Sequence, residues 1–101
     1  MEERLDKYIR RGFRTASRIW GGVAVVVLLP KNNVYPKEFV FELGPDGSYI
    51  WKLLGEKPTL RKIIVSFAKR KKISFNIAQK EVVRFIKQLA AKKLVEVLNK
   101  E

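Results

Sequence analysis

The chain of 101 residues predicts an α+β domain in which three antiparallel strands are followed by three helices. Two observations carry this. Before residue 44 the apolar residues alternate or run continuously; after it they recur at helical spacing. Strand-like and helix-like segments do not interleave, as a doubly wound sheet would require. The length suits one domain, and a hydrophobic content of 47% supplies one core and separates the chain from disordered sequences.

Residues 1–14, MEERLDKYIRRGFR, place Leu5, Tyr8 and Ile9 at helical spacing among charges. They predict an amphipathic N-terminal arm, helical or frayed and weakened by Gly12, ahead of a domain spanning 15–101. Residues 15–29 predict a hairpin, because Gly21-Gly22 separates Ile19-Trp20 from the apolar run Val23–Leu29. That run is apolar on both faces, so both faces are expected to be covered. Pro30-Lys31-Asn32-Asn33 ends it. In residues 38–43 the pattern alternates: Phe39, Phe41 and Leu43 point to the core, and Glu38, Val40 and Glu42 point away.

The helices follow. Asp46 or Ser48 caps a first one carrying Tyr49, Ile50, Leu53 and Leu54, closed by Gly55. Thr59 caps a second, whose Leu60, Ile63, Ile64, Phe67 and Ala68 form a one-sided stripe. Lys69-Arg70-Lys71-Lys72 then complements the dipole at its C-terminus. A third helix, about residues 77–92, has a wide apolar arc with Phe85 at one edge and Val83 at the other. Its opposite side carries Lys80, Arg84, Lys87 and Gln88. Leu94–Leu98 closes the domain as a short strand or a last helical turn.

Composition narrows the chemistry. There is no Cys and no His, which removes disulfides, thiolate and imidazole metal sites, and the usual nucleophile–base constellations. No paired carboxylates stand in a perturbing setting. A non-catalytic protein without cofactor or metal is expected. Lys and Arg number 22 against 10 Asp and Glu, a net charge of +12. Residues 1–50 carry 8 basic and 6 acidic groups, whereas residues 51–101 carry 14 and 4. The basic half suits an acidic partner, and a Lys-rich solvated surface explains it equally well. The longest apolar run is too short for a membrane span of about 20 residues. Glu2, Glu3 and Asp6 before it, and no small-residue cleavage site after Leu29, argue against a signal peptide. A cytoplasmic protein is expected.

The segment Leu43-Gly44-Pro45-Asp46-Gly47-Ser48-Tyr49-Ile50-Trp51-Lys52-Leu53-Leu54-Gly55 resembles the signature of the PqqD-like family. That signature is an apolar strand end, a polar turn with Gly, then Ile-Trp and Leu-Leu closely followed by Gly. Thr59, Ile63, Ile64 and Phe67 resemble the family's second helix. Glu81–Leu89 resembles its third, and Leu94-Val95 its closing apolar pair. The likeness covers about residues 17–97. Two residues depart from it: Pro45 in the polar turn, and Lys93 where the family favours Gly. The resemblance implies a winged-helix-like fold and a recognition element for leader segments of ribosomally made precursor peptides. Such an element presents the peptide to a modifying enzyme, often a radical SAM protein. The peptide would add as a strand along the third strand, in the cleft against the third helix.

The residues support that role in their own terms. An edge strand exposes N–H and C=O groups that an extended peptide can satisfy. The candidate peptide-binding residues are Glu38, Phe39, Val40, Phe41 and Glu42 on the strand, with Lys80, Arg84, Phe85, Lys87 and Gln88 on the helix. Lys80, Arg84 and Lys87 would attract acidic peptide residues. The runner-up is a winged-helix nucleic-acid binder using the basic C-terminal half, although only Arg84 and Gln88 on the third helix suit base reading. A third reading is an adaptor that forms a homodimer through the same strand edge, with Trp20, Trp51 and Tyr35 at the interface.

Overall fold

Strands precede helices, as the periodicity predicts, but two more strands join the ends of the chain. The computed structural model describes residues 5–98. In order the elements are β1 (Tyr8–Arg11), β2 (Thr15–Trp20), β3 (Val23–Leu28), β4 (Val40–Leu43), α1 (Pro45–Leu54), α2 (Leu60–Lys71), α3 (Phe75–Ala91) and β5 (Val95–Leu98). An antiparallel sheet of order β2-β3-β4 and a two-stranded ribbon, β1-β5, result. The architecture is the winged-helix-like α+β arrangement, with α1, α2 and α3 following the sheet.

Local chemistry sets most boundaries. Gly21 and Gly22, at φ 60° and 79°, make the two-residue turn between β2 and β3. Gly44 is extended at the N-cap of α1 and Pro45 opens the helix, where its fixed φ fits and its missing N–H is not needed. The departure from the family pattern at Pro45 is therefore compatible with a regular helix start. Thr59 and Ser74 cap α2 and α3 by accepting from Lys62 N–H and Ile77 N–H, each at 3.2 Å. Lys93 has a left-handed φ of 64°, and the N–H groups of Lys93 and Leu94 bond back to the Ala90 and Leu89 carbonyls. This is a Schellman end, and it explains why Gly suits the position.

Three expectations are corrected. Residues 8–11 are strand, not the helical or frayed segment that their spacing suggests; residues 1–4 of that arm lie outside the described residues. Strand β1 is held on both sides. It pairs with β5 over Tyr8↔Leu98 to Arg11↔Val95, and Ile9 N–H donates to the Pro58 carbonyl at 2.9 Å. Leu60 N–H in turn donates to the Lys7 carbonyl. Two flanking backbones outweigh the weak helical preference of a short segment. The second correction concerns Ser48, which is not a cap but a buried strut, described below. The third is β3, which is covered on one face. Ala24 and Val26 are buried, while Val25 on the other face is 37% exposed.

The core lies between that covered face and the helices. It joins Ala24, Val26 and Leu43 of the sheet to Ile50, Trp51 and Leu54 of α1, Ile63, Ile64 and Phe67 of α2, and Val82, Ile86 and Leu89 of α3. Burial of each large side chain contributes about 1.5–3 kcal/mol. Trp51 is its largest fully buried member. Its indole N–H donates to Ser17 Oγ at 2.9 Å, and its carbonyl accepts from Arg11 Nη2 at 2.8 Å. The Arg11 guanidinium also stands 5.0 Å from the Trp51 ring centroid. Burial lowers the pKa of Arg11 from its ordinary value. Trp51 thus ties α1 to β1 and β2 and is not an interface residue.

Candidate functional site

The two ladder phases of an antiparallel sheet decide which backbone groups of β4 are used. Leu28 N–H donates to the Phe39 carbonyl at 2.8 Å, which makes Leu28 and Phe39 a hydrogen-bonded pair. Counting along the register, Val26↔Phe41 and Ala24↔Leu43 share that phase, whereas Val27↔Val40 and Val25↔Glu42 take the other. The N–H and C=O groups of Val40 and Glu42 therefore point away from β3. Among the described residues no strand covers that side, because β4 ends the sheet order. The edge offers two donors and two acceptors in extended register.

Ser48 sets how β4 meets β3. Ala24 N–H donates to Ser48 Oγ at 2.7 Å, and the Ser48 hydroxyl donates to the Leu43 carbonyl at 3.0 Å. At the position where a direct rung would join Ala24 to Leu43, one side-chain oxygen of α1 relays it. The sheet and the first helix are thereby fastened together at the end of β4.

Helix α3 forms the wall beside this edge. Lys92, its C-cap, reaches β4: its Nζ is 3.2 Å from Glu38 Oε1 and 5.3 Å from the Phe41 ring centroid. Phe85, two turns earlier on the same flank, lies over Gly47 of α1. A Cβ on Gly47 would stand 2.9 Å from Phe85 Cζ, so a larger residue there would displace the ring. Phe41 and Phe85 are both half-buried. Phe41 with Lys92 flanks the β4 edge, and Phe85 flanks the start of α1. At the other end of β4, the Tyr35 ring packs on Phe39 with centroids 4.9 Å apart. Tyr35 also borders an apolar cavity of about 630 Å³ walled by Phe13, Leu28, Leu29, Val34 and Val95 among others.

Among the residues expected at the site, Glu38, Phe39, Val40, Phe41 and Glu42 lie on or just before β4, and Lys92 at the end of α3 reaches Glu38 and Phe41, whereas Phe85 is placed over Gly47 of α1. Gln88 precedes Lys92 by one turn and stays near the same flank. At 100° per residue, Arg84 lies about 90° and Lys80 and Lys87 about 130–150° around the helix from the Phe85–Lys92 flank. These three share the exposed outer side of α3 with Gln79, Val83 and Gln88. Lys92 is the α3 cation that reaches the β4 segment, and sequence reasoning missed it. Its spacing of seven from Phe85 and four from Gln88 is the signal that places it. The basic run at the end of α2 is partly engaged within the chain. Arg70 stands 4.4 Å from the Tyr49 ring centroid, and Lys71 Nζ is 3.0 Å from Asp46 Oδ2.

No cluster of metal-ligating side chains occurs among the described residues. Nor is any described helix long and apolar enough to cross a membrane.

Comparison with known proteins follows the same lines. The family model described as coenzyme PQQ synthesis protein D (PqqD) matches residues 25–95. No curated protein sequence matches the chain. A solved structure, TbiB1 in complex with the TbiA(beta) leader peptide, superposes with a TM-score of 0.75 at 22% identity. The match covers 86% of this chain and 94% of that one, and it establishes a shared fold.

Proposed function

This chain belongs to the family of coenzyme PQQ synthesis protein D, and from that premise we propose that it binds the leader segment of a ribosomally made precursor peptide by strand addition to β4. The observation that carries the reading is the open edge of β4, where Val40 and Glu42 direct their N–H and C=O groups away from β3, with Phe41 and Lys92 beside them. A leader strand laid there forms up to four backbone hydrogen bonds, each worth about 0.5–1.5 kcal/mol net. Alternate side chains of the leader then enter the cleft between Phe41 and Phe85, and backbone pairing supplies affinity while pockets supply choice. The likeness to TbiB1, whose structure holds a leader peptide, supports this use of the fold.

Electrostatics sorts the cations by distance. Lys92 sits at the cleft and contacts the bound strand. Lys80, Arg84 and Lys87, around the helix, act as a field that raises the arrival rate of acidic peptides, an effect that falls with salt. With no His and no Cys, the chain is a binding module that hands its peptide to a modifying enzyme, such as a radical SAM protein. It works in the cytoplasm, where precursor peptides are made.

The test is a titration with a synthetic leader peptide from a precursor gene adjoining this one, with duplex DNA in parallel, at two salt concentrations. Saturable peptide binding, with chemical-shift changes at residues 38–43, 85 and 92, is expected. Val40→Pro removes an outward N–H without disturbing the β3 ladder. It should abolish peptide binding in a folded protein. Unchanged affinity in that variant, or binding of DNA alone, sinks the proposal.

A further inference from the structure

The face of the sheet turned away from the helices bears three rows of side chains that the fold leaves uncovered. Pairing across β2, β3 and β4 gives Ala16–Val27–Val40, Arg18–Val25–Glu42 and Trp20–Val23, the last row ending beside Gly44. Trp20 is 79% exposed, Val40 53% and Val25 37%. A tryptophan and several valines open to solvent on a flat sheet form the kind of contiguous apolar patch that marks an interaction surface.

Its charges identify the occupant. Arg18 and Glu42 lie on opposite edge strands at the same level, either side of Val25. We propose that this face is the self-association surface of the protein, and that two copies pack sheet on sheet about a two-fold axis parallel to β3. That axis places β2 of one copy over β4 of the other. Arg18 then meets the second copy's Glu42, twice, and the β3 valines stack on their counterparts. Ala16 lies over Val40, so that small faces large. Trp20 lies over Gly44, where a Cβ would meet nothing within 4 Å. The alternative two-fold, perpendicular to the strands, sets Arg18 on Arg18 and Glu42 on Glu42 and is opposed by repulsion. Aligned sheets cross at about −30°, which keeps the central rows in contact.

The magnitude is modest. The exposed parts of these residues come to roughly 500–600 Å² per copy, about 1,000–1,200 Å² for the pair, at the low end of specific interfaces. The net charge of +12 also opposes association, while the face itself is locally balanced. A weak, concentration-dependent dimer follows. The edge of β4 remains open in it: Val40 and Glu42 give their side chains to this face and keep their outward backbone groups for the peptide.

Sedimentation equilibrium of the peptide-free protein over about 10–500 µM, at physiological salt where screening acts over about 8 Å, tests the proposal. A monomer–dimer equilibrium is expected. Val25→Glu should abolish it with an unchanged circular dichroism spectrum and unchanged leader-peptide affinity. Arg18→Glu and Glu42→Arg should each weaken the dimer at least about fivefold, and the double reversal should restore it. A protein that stays monomeric at the highest concentration overturns the inference. So does a Val25→Glu variant that dimerises like wild type, or a double reversal that recovers nothing. Because no peptide is present, failure here leaves the strand-addition reading untouched.

Discussion

Replacing Ser48 by alanine tests how β4 is held in place. The substitution removes the one oxygen that accepts from Ala24 N–H and donates to the Leu43 carbonyl. Ala24, Ser48 and Leu43 are all buried, so water does not readily replace it. Each unpartnered buried backbone group costs about 1–3 kcal/mol, which sets an upper limit near 6 kcal/mol. Two effects reduce it. The Ala24 and Leu43 groups are register partners, and closure of the strands would let them bond directly, at a cost in packing against α1. Alanine also gains about 0.5 kcal/mol of helix propensity over serine. The expected loss is about 2–3 kcal/mol. Urea denaturation followed by tryptophan fluorescence reads it as a lower midpoint at unchanged slope. The corresponding fall in Tm is about 10–20 °C for a domain of this size. Peptide affinity should fall as well, because β4 loses its joint with α1. A loss below about 0.5 kcal/mol would refute the argument, since it would mean that the strands close freely and the relay fastens nothing.

Two further substitutions probe the wall of the cleft and its support. Lys93→Gly removes a left-handed Cβ that costs about 1–2 kcal/mol, against about 0.4–1 kcal/mol of added entropy in the unfolded chain; a net gain near 0.5–1 kcal/mol in the same denaturation assay is expected. Gly47→Ala drives a methyl against the Phe85 ring and should weaken leader-peptide binding about tenfold, or 1.4 kcal/mol, in a titration; any stability change stays small because the ring can swing aside and alanine favours the helix.

How much of this was legible in the sequence varied with the range of the interactions involved. The hairpin at Gly21-Gly22 and the cap at Thr59 depend on neighbouring residues, and both were readable. The helical stripe from Leu60 to Ala68 announces itself by period. Strand β1 could not be read, because a four-residue strand with one buried side chain, Ile9, has no period of its own. It exists because β5 and Pro58 arrive on either side of it. The role of Ser48 was hidden for a related reason: a serine in the first turn of a helix looks like a cap until Ala24, 24 residues away, is seen to donate to it. At the site, the edge of β4 followed from alternation and an adjacent loop. The flank of α3 that faces it did not. Composition ranks Lys80, Arg84 and Lys87 above Lys92, but the burial of Val82, Ile86 and Leu89, with Phe85 set on Gly47, orients the helix. The uncovered face of β3 was misjudged because an all-apolar strand looks the same whether its second face meets a helix or solvent.

The β1–β5 ribbon has a consequence for how this domain can be built into larger molecules. Tyr8 pairs with Leu98, so the described chain enters and leaves at neighbouring points. A module whose two ends meet can be spliced into a surface loop of another polypeptide without being pulled apart, or re-opened elsewhere once those ends are joined. The same ribbon makes the gene a convenient cassette, movable between host proteins as one piece.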